Sequence, residues 1–201
     1  MKRSTRNAAR TKQEIIAKSA AVFNVHGYAG TKMQMLVEAT GFQMGGIYRH
    51  FDTKLDLAKA AFQHNYEVLI KSNFAVKEGL NPQERLTAFL RNYKKSALNP
   101  SIPGGCPLLN TAIEMDDTDE SFRQLTQASV KEVIDTIAQT LVEGQGQGFF
   151  MADFNPREEA QYLFAAIEGA IMLSRITKDV KAFVHIFDRA VADFGGKVGK
   201  R

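Results

Sequence analysis

Apolar residues recur three and four positions apart along nearly the whole chain, which is the spacing of one face of an α-helix. No segment shows the convincing alternation of apolar and polar residues that is typical of a β-strand. The pattern predicts about nine helices, over residues 11–26, 31–40, 43–50, 53–78, 82–98, 106–115, 119–144, 156–177 and 180–194. We therefore expect an all-α fold.

Helix-start and helix-stop signals support this reading. Asparagine precedes proline at residues 81–82 and 155–156, so a capping amide stands before a residue favoured at the first helical position. Thr11 and Thr53 are each followed three positions later by an acid, as in a capping box. Gly41 follows the second predicted helix, where a left-handed glycine would end it.

The first three predicted helices carry enough apolar residues to enclose one small core. These residues are Ile16, Ala20, Phe23, Met33, Leu36, Val37, Ile47 and Phe51. Three short helices with a glycine-containing turn between the second and third match a helix-turn-helix. Gly41 would turn the chain, and Phe42 would fill the inside of the corner.

The third predicted helix combines two bare glycines, Gly45 and Gly46, with several hydrogen-bonding side chains. A DNA major groove admits one helix and is read by donors and acceptors such as Gln and Arg. Lys54, at the start of the next helix, is suited to a phosphate contact. The candidate DNA-binding residues are Lys32, Gln43, Met44, Gly46, Tyr48, Arg49, His50 and Lys54. Alternatively, Tyr48 and His50 only cover the surface of this small domain and have no role in binding DNA.

Charge is distributed unevenly along the chain. Residues 1–60 contain ten bases and four acids and carry +6, whereas the remaining residues carry −2, within a net charge of +4. One end is therefore suited to a polyanion and the other is not.

The segment "IIAKSAAVFNVHGYAGTKMQMLVEATGFQMGGIYRHFDTKLDL" resembles the DNA-binding domain of the tetracycline repressor (TetR) family. The matching residues are Ile16, Phe23, Gly27, Tyr28, Thr31, Leu36, Ala39, Gly41, Gly45, Ile47, Tyr48, His50, Phe51, Lys54 and Leu57. The resemblance implies a helix-turn-helix DNA-binding domain over residues 1–55 and a helical effector-binding and dimerisation domain over residues 56–201. The sequence departs from the family at Gln43, where a serine is usual, and at Met44, which is commonly polar or basic.

The last two predicted helices carry stripes of small and aromatic residues that suit close helix packing. The resemblance implies a homodimer formed through these helices. The candidate interface residues are Ala166, Gly169, Ala170, Phe183, Phe187, Ala190 and Phe194. The alternative is that both stripes pack only inside one subunit.

Aromatic and apolar residues between the predicted DNA-binding domain and the last two predicted helices suggest a pocket for a small, largely apolar effector. The candidates are Phe62, Tyr66, Phe89, Tyr93, Cys106, Leu109, Ile113 and Phe122. Most of them could equally be plain core.

Other classes of function find little support. Cys106 is the single cysteine, and the four histidines lack ligand spacing, so we predict no metal and no cofactor. No apolar run of eighteen residues and no signal peptide are visible, so we expect no membrane partner and a cytoplasmic location. No catalytic arrangement can be singled out, so we expect a protein that is not an enzyme.

The expected function is sequence-specific transcriptional regulation, with a repressor released from a palindromic operator by a small molecule. Three alternatives remain open at this point. The protein could be an activator, or a redox or electrophile sensor that uses Cys106 at the start of a short helix, where the helix dipole favours a thiolate. It could also be a helical small-molecule carrier or an enzyme whose basic N-terminal region has no role in binding DNA.

Overall fold

The computed structural model describes residues 2–195, 197 and 199, with side chains from residue 7 onward except that of Phe194. Nine α-helices form the framework of the described residues. They are α1 (Lys2–Gly30), α2 (Met33–Thr40), α3 (Met44–Tyr48), α4 (Lys54–Leu69), α5 (Pro82–Leu98), α6 (Pro107–Met115), α7 (Glu120–Gly146), α8 (Pro156–Thr177) and α9 (Val180–Gly195). The predicted all-α fold is confirmed.

The predicted helix-start signals hold at three helices. The Asn81 side chain accepts a hydrogen bond from the Glu84 N–H at 3.0 Å, and Asn155 caps α8 in the same manner. Before α4, the Thr53 hydroxyl accepts from the Asp56 N–H at 3.1 Å. Because each cap satisfies N–H groups that have no partner within the helix, it fixes where the helix begins.

The predicted start of α1 at Thr11 is wrong. The helix already begins at Lys2, and the described side chains of residues 7–10 are exposed. This first stretch includes Ala8, Ala9 and Arg10, which are strong helix formers, and it contains neither proline nor glycine. Intrinsic propensity therefore extends the helix beyond the segment that buries an apolar face.

The predicted end of the fourth helix near residue 78 is also wrong. α4 ends at Leu69, and a separate 3-10 helix follows over Lys71–Phe74. Ser72 and Asn73 lie at this break, and both residue types compete with the helix for backbone hydrogen bonds. The apolar spacing continues past the break, which is why periodicity alone did not predict it.

The chain divides into two compact units, each built from two segments. We call the unit formed by Met1–Leu69 and Ser101–Thr126 the head unit, and the unit formed by Ile70–Pro100 and Gln127–Arg201 the second unit. This division differs from the predicted boundary at residue 55, because α6 packs against both α1 and α4. The head unit is therefore larger than a three-helix domain.

The core of the head unit includes most of the predicted residues. Ala20 and Leu36 are fully buried, and Ile47 is 1% exposed. Ile16, Phe23 and Phe51 are also buried, whereas Met33 and Val37 are half-buried. This core holds α1, α2 and α3 in fixed positions.

The second unit is centred on the packing of α8 against α9. Leu163 and Ala170 of α8, with Phe183 and Phe187 of α9, are among its buried residues. Near its end the chain pairs with an earlier segment, since the Gly199 N–H donates to the Phe149 carbonyl at 2.9 Å. None of the described helices is both long and apolar enough to cross a membrane.

Candidate DNA-binding surface

The turn between α2 and α3 is built as the sequence predicts. Gly41 has φ +76°, in the left-handed region that favours glycine, and its N–H donates to the Val37 carbonyl at 2.9 Å. The buried Thr40 hydroxyl donates to the Leu36 carbonyl at 2.7 Å and accepts from the Phe42 N–H at 3.2 Å. These bonds close α2 and set the direction in which α3 leaves it.

The short helix α3 has one inward residue and an exposed remainder. Ile47 is buried in the core, whereas Met44 is 46% and Tyr48 40% exposed. Gln43 and Arg49 at the two helix ends are also exposed. The Gln43 side chain makes no capping bond to the helix, so the amide group of this exposed residue is not used by α3 itself.

The two glycines of α3 are not required by the packing of the protein. A Cβ added at Gly45 would meet no atom within 4 Å, and one at Gly46 would lie 3.8 Å from the Phe42 Cβ, an ordinary contact. Both residues lower helix propensity by about 1 kcal/mol each relative to alanine. Their presence leaves the outer backbone of α3 open to close approach by another molecule.

Three further predicted DNA contacts flank α3. Lys32 is exposed just before α2, and His50 is half-buried just after α3. The Lys54 ammonium lies 4.3 Å from the centre of the Tyr28 ring, a cation–π distance. Burial lowers the pKa of Lys54, and the nearby Glu114 carboxylate opposes that shift. Lys54 is thus a partly desolvated cation and not a freely solvated one.

The predicted dimer residues divide into two groups. Ala170, Phe183, Phe187 and Ala190 are each at most 3% exposed within a single subunit, so a partner helix cannot reach them as the prediction requires. For these four residues the packing is within one subunit. Ala166 and Gly169 are partly exposed, and the Phe194 side chain lies outside the described residues.

A different set of apolar residues on α8 faces solvent. Tyr162 is 50%, Met172 47%, Leu173 40% and Ile176 78% exposed. With Ala166 and Gly169 they follow the spacing of one helix face, and we call these six residues the α8 strip. The pattern of small residues does not indicate the four large ones, although their spacing of three and four residues is visible in the sequence.

The predicted effector residues lie mostly in the core. Phe62 and Phe122 meet edge to face with ring centres 5.7 Å apart in the head unit. In the second unit, Tyr93 donates its hydroxyl proton to the buried Glu168 carboxylate at 3.0 Å. Tyr66, Phe89 and Cys106 are also buried, and Leu109 is half-buried. Ile113 is 69% exposed, so the prediction that it lines a pocket is not supported.

A ligand-sized cavity lies elsewhere, between α5 and α9 of the second unit, and measures about 350 Å³. Its walls include the apolar residues Leu86, Leu90, Phe150, Phe187 and Val191, with Gln83, Thr87, Arg91, Lys94 and Asp188 as polar members. None of the predicted effector residues is among them. The apolar positions of α5 were visible in the sequence, but their partners on α9 are about a hundred residues away in the chain.

Comparison with known proteins identifies the family to which this architecture belongs. Residues 15–61 match the family model described as "Bacterial regulatory proteins, tetR family". Residues 82–190 match "Tetracyclin repressor-like, C-terminal domain". The chain belongs to the tetR family of bacterial regulators. Like other members of the family, it is a DNA-binding transcriptional regulator, and regulators of this family dimerise.

Individual relatives of this tetR-family chain match it over most of their length. It is similar to a TetR transcriptional regulator from Chloroflexus aurantiacus J-10-FL, with 34% identity, coverage of 98% of this chain and 100% of the other, and a TM-score of 0.89. A family member from Cytophaga hutchinsonii gives 32% identity, 97% and 98% coverage and a TM-score of 0.83. The transcriptional repressor DhaR of Mycobacterium sp. (strain GP1) is 25% identical over 84% of each chain.

Proposed function

We propose that this regulator is a repressor that binds a palindromic operator as a homodimer in the cytoplasm and leaves it when a small molecule binds. The observation that carries the DNA-reading part is the outer face of α3, where exposed Gln43, Met44, Tyr48 and Arg49 surround glycines that packing does not require. The repressor assignment is also supported by the name of the Mycobacterium relative.

In this proposal the side chains divide their tasks by chemistry. Arg49 and Gln43 are donors and acceptors of the kinds that read base edges in the major groove. Tyr48, His50, Lys32 and Lys54 surround α3 and are assigned to phosphate contacts, which position the protein without reading sequence. Substitution of the first pair should therefore change the preferred operator, and substitution of the second group should weaken all duplexes.

The DNA-reading proposal is tested by selecting operators from a random duplex pool with the wild-type dimer. The selection is then repeated with Arg49→Ala and with Lys77→Ala, an exposed lysine of the second unit. We expect Arg49→Ala to alter the selected sequence and to cost about 1–3 kcal/mol on the wild-type operator. Selection of one unchanged sequence by all three proteins would refute the role of Arg49.

The effector part of the proposal uses the cavity between α5 and α9. Its mainly apolar wall with a few polar groups is typical of small-molecule sites, and its volume lies within their usual range. Release from DNA requires the effector to favour the state that does not fit the operator. A hundredfold difference in affinity between the two states corresponds to about 2.7 kcal/mol.

The cavity can be tested by filling it from its rim. Thr87 is exposed and lines the cavity, so Thr87→Trp should block it without disturbing buried packing. Compounds that release wild-type protein from its operator should fail to release this variant. Lys77→Trp, at an exposed position of the second unit outside the cavity, is the control. Equal release of both variants would place the effector elsewhere.

A transcription assay on the selected operator separates repression from activation.

A further inference from the structure

The carboxylate of Glu114, on α6, binds the backbone at the end of α1. Its two oxygens accept hydrogen bonds from the Tyr28 and Ala29 N–H groups, both at 2.8 Å. Gly27 breaks the helix just before them, with φ +70° and ψ 176°. The N–H groups that follow this break need acceptors from outside α1, and Glu114 supplies them across 86 positions of the chain.

The fit between Gly27 and Glu114 is close. A Cβ added at Gly27 would lie 2.7 Å and 2.8 Å from the two Glu114 carboxylate oxygens. The left-handed φ favours glycine at this position, and any larger residue would also displace the carboxylate. The Thr31 hydroxyl donates to the Gly27 carbonyl at 2.6 Å, which ties the same corner to the start of α2.

A second contact fixes the other end of α6 to the same helix. The buried Asn24 side chain donates to the carbonyls of Pro103 and Gly105, at 2.8 Å and 3.1 Å. Asn110 of α6 donates to the Asn24 carbonyl at 3.2 Å. A Cβ at Gly104 would come within 2.4 Å of the Asn24 carbonyl oxygen. α6 is thus held on α1 at two points, and Glu114 is the point nearer to α2.

We propose that Glu114 is a positioning residue for operator recognition, because its carboxylate fixes the corner from which α2 and α3 project. Glu114 is not itself one of the proposed DNA-contacting residues. It lies outside residues 15–61, which match the DNA-binding family model. A residue of the segment matching the C-terminal model thereby sets the geometry of DNA reading. The inference rests on α3 being the DNA-reading helix.

The hydrogen bonds are tested first, without DNA, by amide hydrogen exchange in the wild-type protein and in Glu114→Ala. We expect the Tyr28 and Ala29 amides to be protected in the wild type and to exchange rapidly in the variant. Amides that remain protected in folded Glu114→Ala would overturn the inference. Since this measurement needs no operator, it stands even if the wild type selects no DNA sequence.

The positioning role is tested by the ratio of affinity for the selected operator to affinity for random duplex. We expect Glu114→Ala to lower operator affinity about tenfold and to leave random-duplex affinity nearly unchanged, since phosphate contacts tolerate small changes in orientation. Asp117→Asn is the matched control, because it removes one exposed negative charge just after α6. If Glu114 acted only as a repelling charge, both variants would bind both duplexes more tightly.

A conservative variant covers the case in which Glu114→Ala does not fold. Tyr28 and Ala29 donate to different oxygens of Glu114, so Glu114→Gln keeps an acceptor for one N–H and places an NH2 group, which cannot accept, opposite the other. We expect an operator-to-random ratio between those of the wild type and of Glu114→Ala, and exchange protection at one amide only. A wild-type ratio in folded, dimeric Glu114→Gln or Glu114→Ala would show that Glu114 does not position the reading helix.

Discussion

At the scale of single residues, the proposed DNA-binding surface contains a cation, Lys54, whose partial burial lowers the stability of the head unit. Lys54 is partly buried over the Tyr28 ring, and burial lowers its pKa. A lysine whose pKa is lower in the folded than in the unfolded state destabilises the fold at neutral pH. That destabilisation is relieved as the pH rises into the range where lysines lose their proton. This partly buried charge is consistent with the phosphate contact that we propose for Lys54.

We predict that Lys54→Met keeps or raises the melting temperature at pH 7 and weakens binding to every duplex. Methionine retains an apolar stem against the Tyr28 ring and removes the desolvated charge. The slope of log affinity against log salt should become shallower by about one unit. Thermal melting and titrations at several salt concentrations measure both effects, with Lys77→Met as the control. A lower melting temperature with unchanged DNA affinity would assign Lys54 a structural role only.

Cys106 gives a second prediction at this scale. The residue precedes α6 and is only 5% exposed, so we expect the native thiol to react with a small maleimide far more slowly than the thiol of the unfolded protein. Mass measurement of labelling over time checks this. Labelling at the unfolded rate, with loss of operator binding in the wild type but not in Cys106→Ser, would instead support the thiol-sensor alternative.

At the scale of helices, local capping chemistry decides where elements begin. Before α7, the Asp119 carboxylate accepts from the Phe122 N–H at 2.7 Å and from the Ser121 hydroxyl at 2.6 Å. These bonds, with that of the Ser121 hydroxyl as the largest cause, lower the pKa of Asp119. A carboxylate with a lowered pKa stabilises the fold above its unfolded pKa, and this contribution is lost as the pH falls through its folded pKa.

We predict that Asp119→Ala lowers the melting temperature at pH 7 and that the difference from wild type disappears in strong acid. The difference should begin to narrow below about pH 4, where an unfolded aspartate takes up its proton. Glu120, whose pKa Arg123 lowers to about 2, titrates in both proteins and so does not contribute to the difference. Melting curves from pH 7 to pH 2 provide the measurement, with the exposed Asp117→Ala as control. If the difference in melting temperature between wild type and Asp119→Ala does not change with pH, the charge of Asp119 does not stabilise the start of α7.

Features that depend on neighbouring residues in the chain could be predicted from the sequence, and features that join distant segments could not. The Asn81 and Asn155 caps, Thr53 and the Gly41 turn depend on residues within four positions of each other, so their outcome was readable from the chain. The end of α4 at Leu69 was not, because the apolar period continues beyond it. The hydrogen bonds of Glu114 to Tyr28 and Ala29 join distant segments of the chain, and no local sequence pattern predicts them.

At the scale of the whole molecule, the ambiguous feature was the packing of the last two helices. Small and aromatic residues at helical spacing suit contact with any neighbouring helix, so periodicity could not say whether Phe183 and Phe187 meet their own subunit or a partner. The structure buries both within one subunit. The α8 strip remains outside, and we propose it as the dimer contact.

We predict that Gly169→Leu prevents dimerisation without unfolding the subunit. A Cβ added at Gly169 has open space around it within its own subunit, so we expect the subunit to tolerate the larger side chain and a partner helix to be obstructed by it. Sedimentation should show a monomer at micromolar concentration, and operator affinity should fall because one head loses the second half-site. Arg175→Leu adds the same side chain at an exposed position outside the α8 strip. Wild-type dimerisation of Gly169→Leu would exclude the strip as the interface.

The two-segment construction of the head unit bears on the design of chimeric regulators. A graft that joins the first 55 or 69 residues of this chain to another effector domain would leave behind the segment Ser101–Thr126. The Tyr28 and Ala29 amides would then lose Glu114, and the Asn24 side chain would lose its two carbonyl partners. A transplant that preserves operator choice should therefore carry α6 and the loop before it, even though they are encoded after α5.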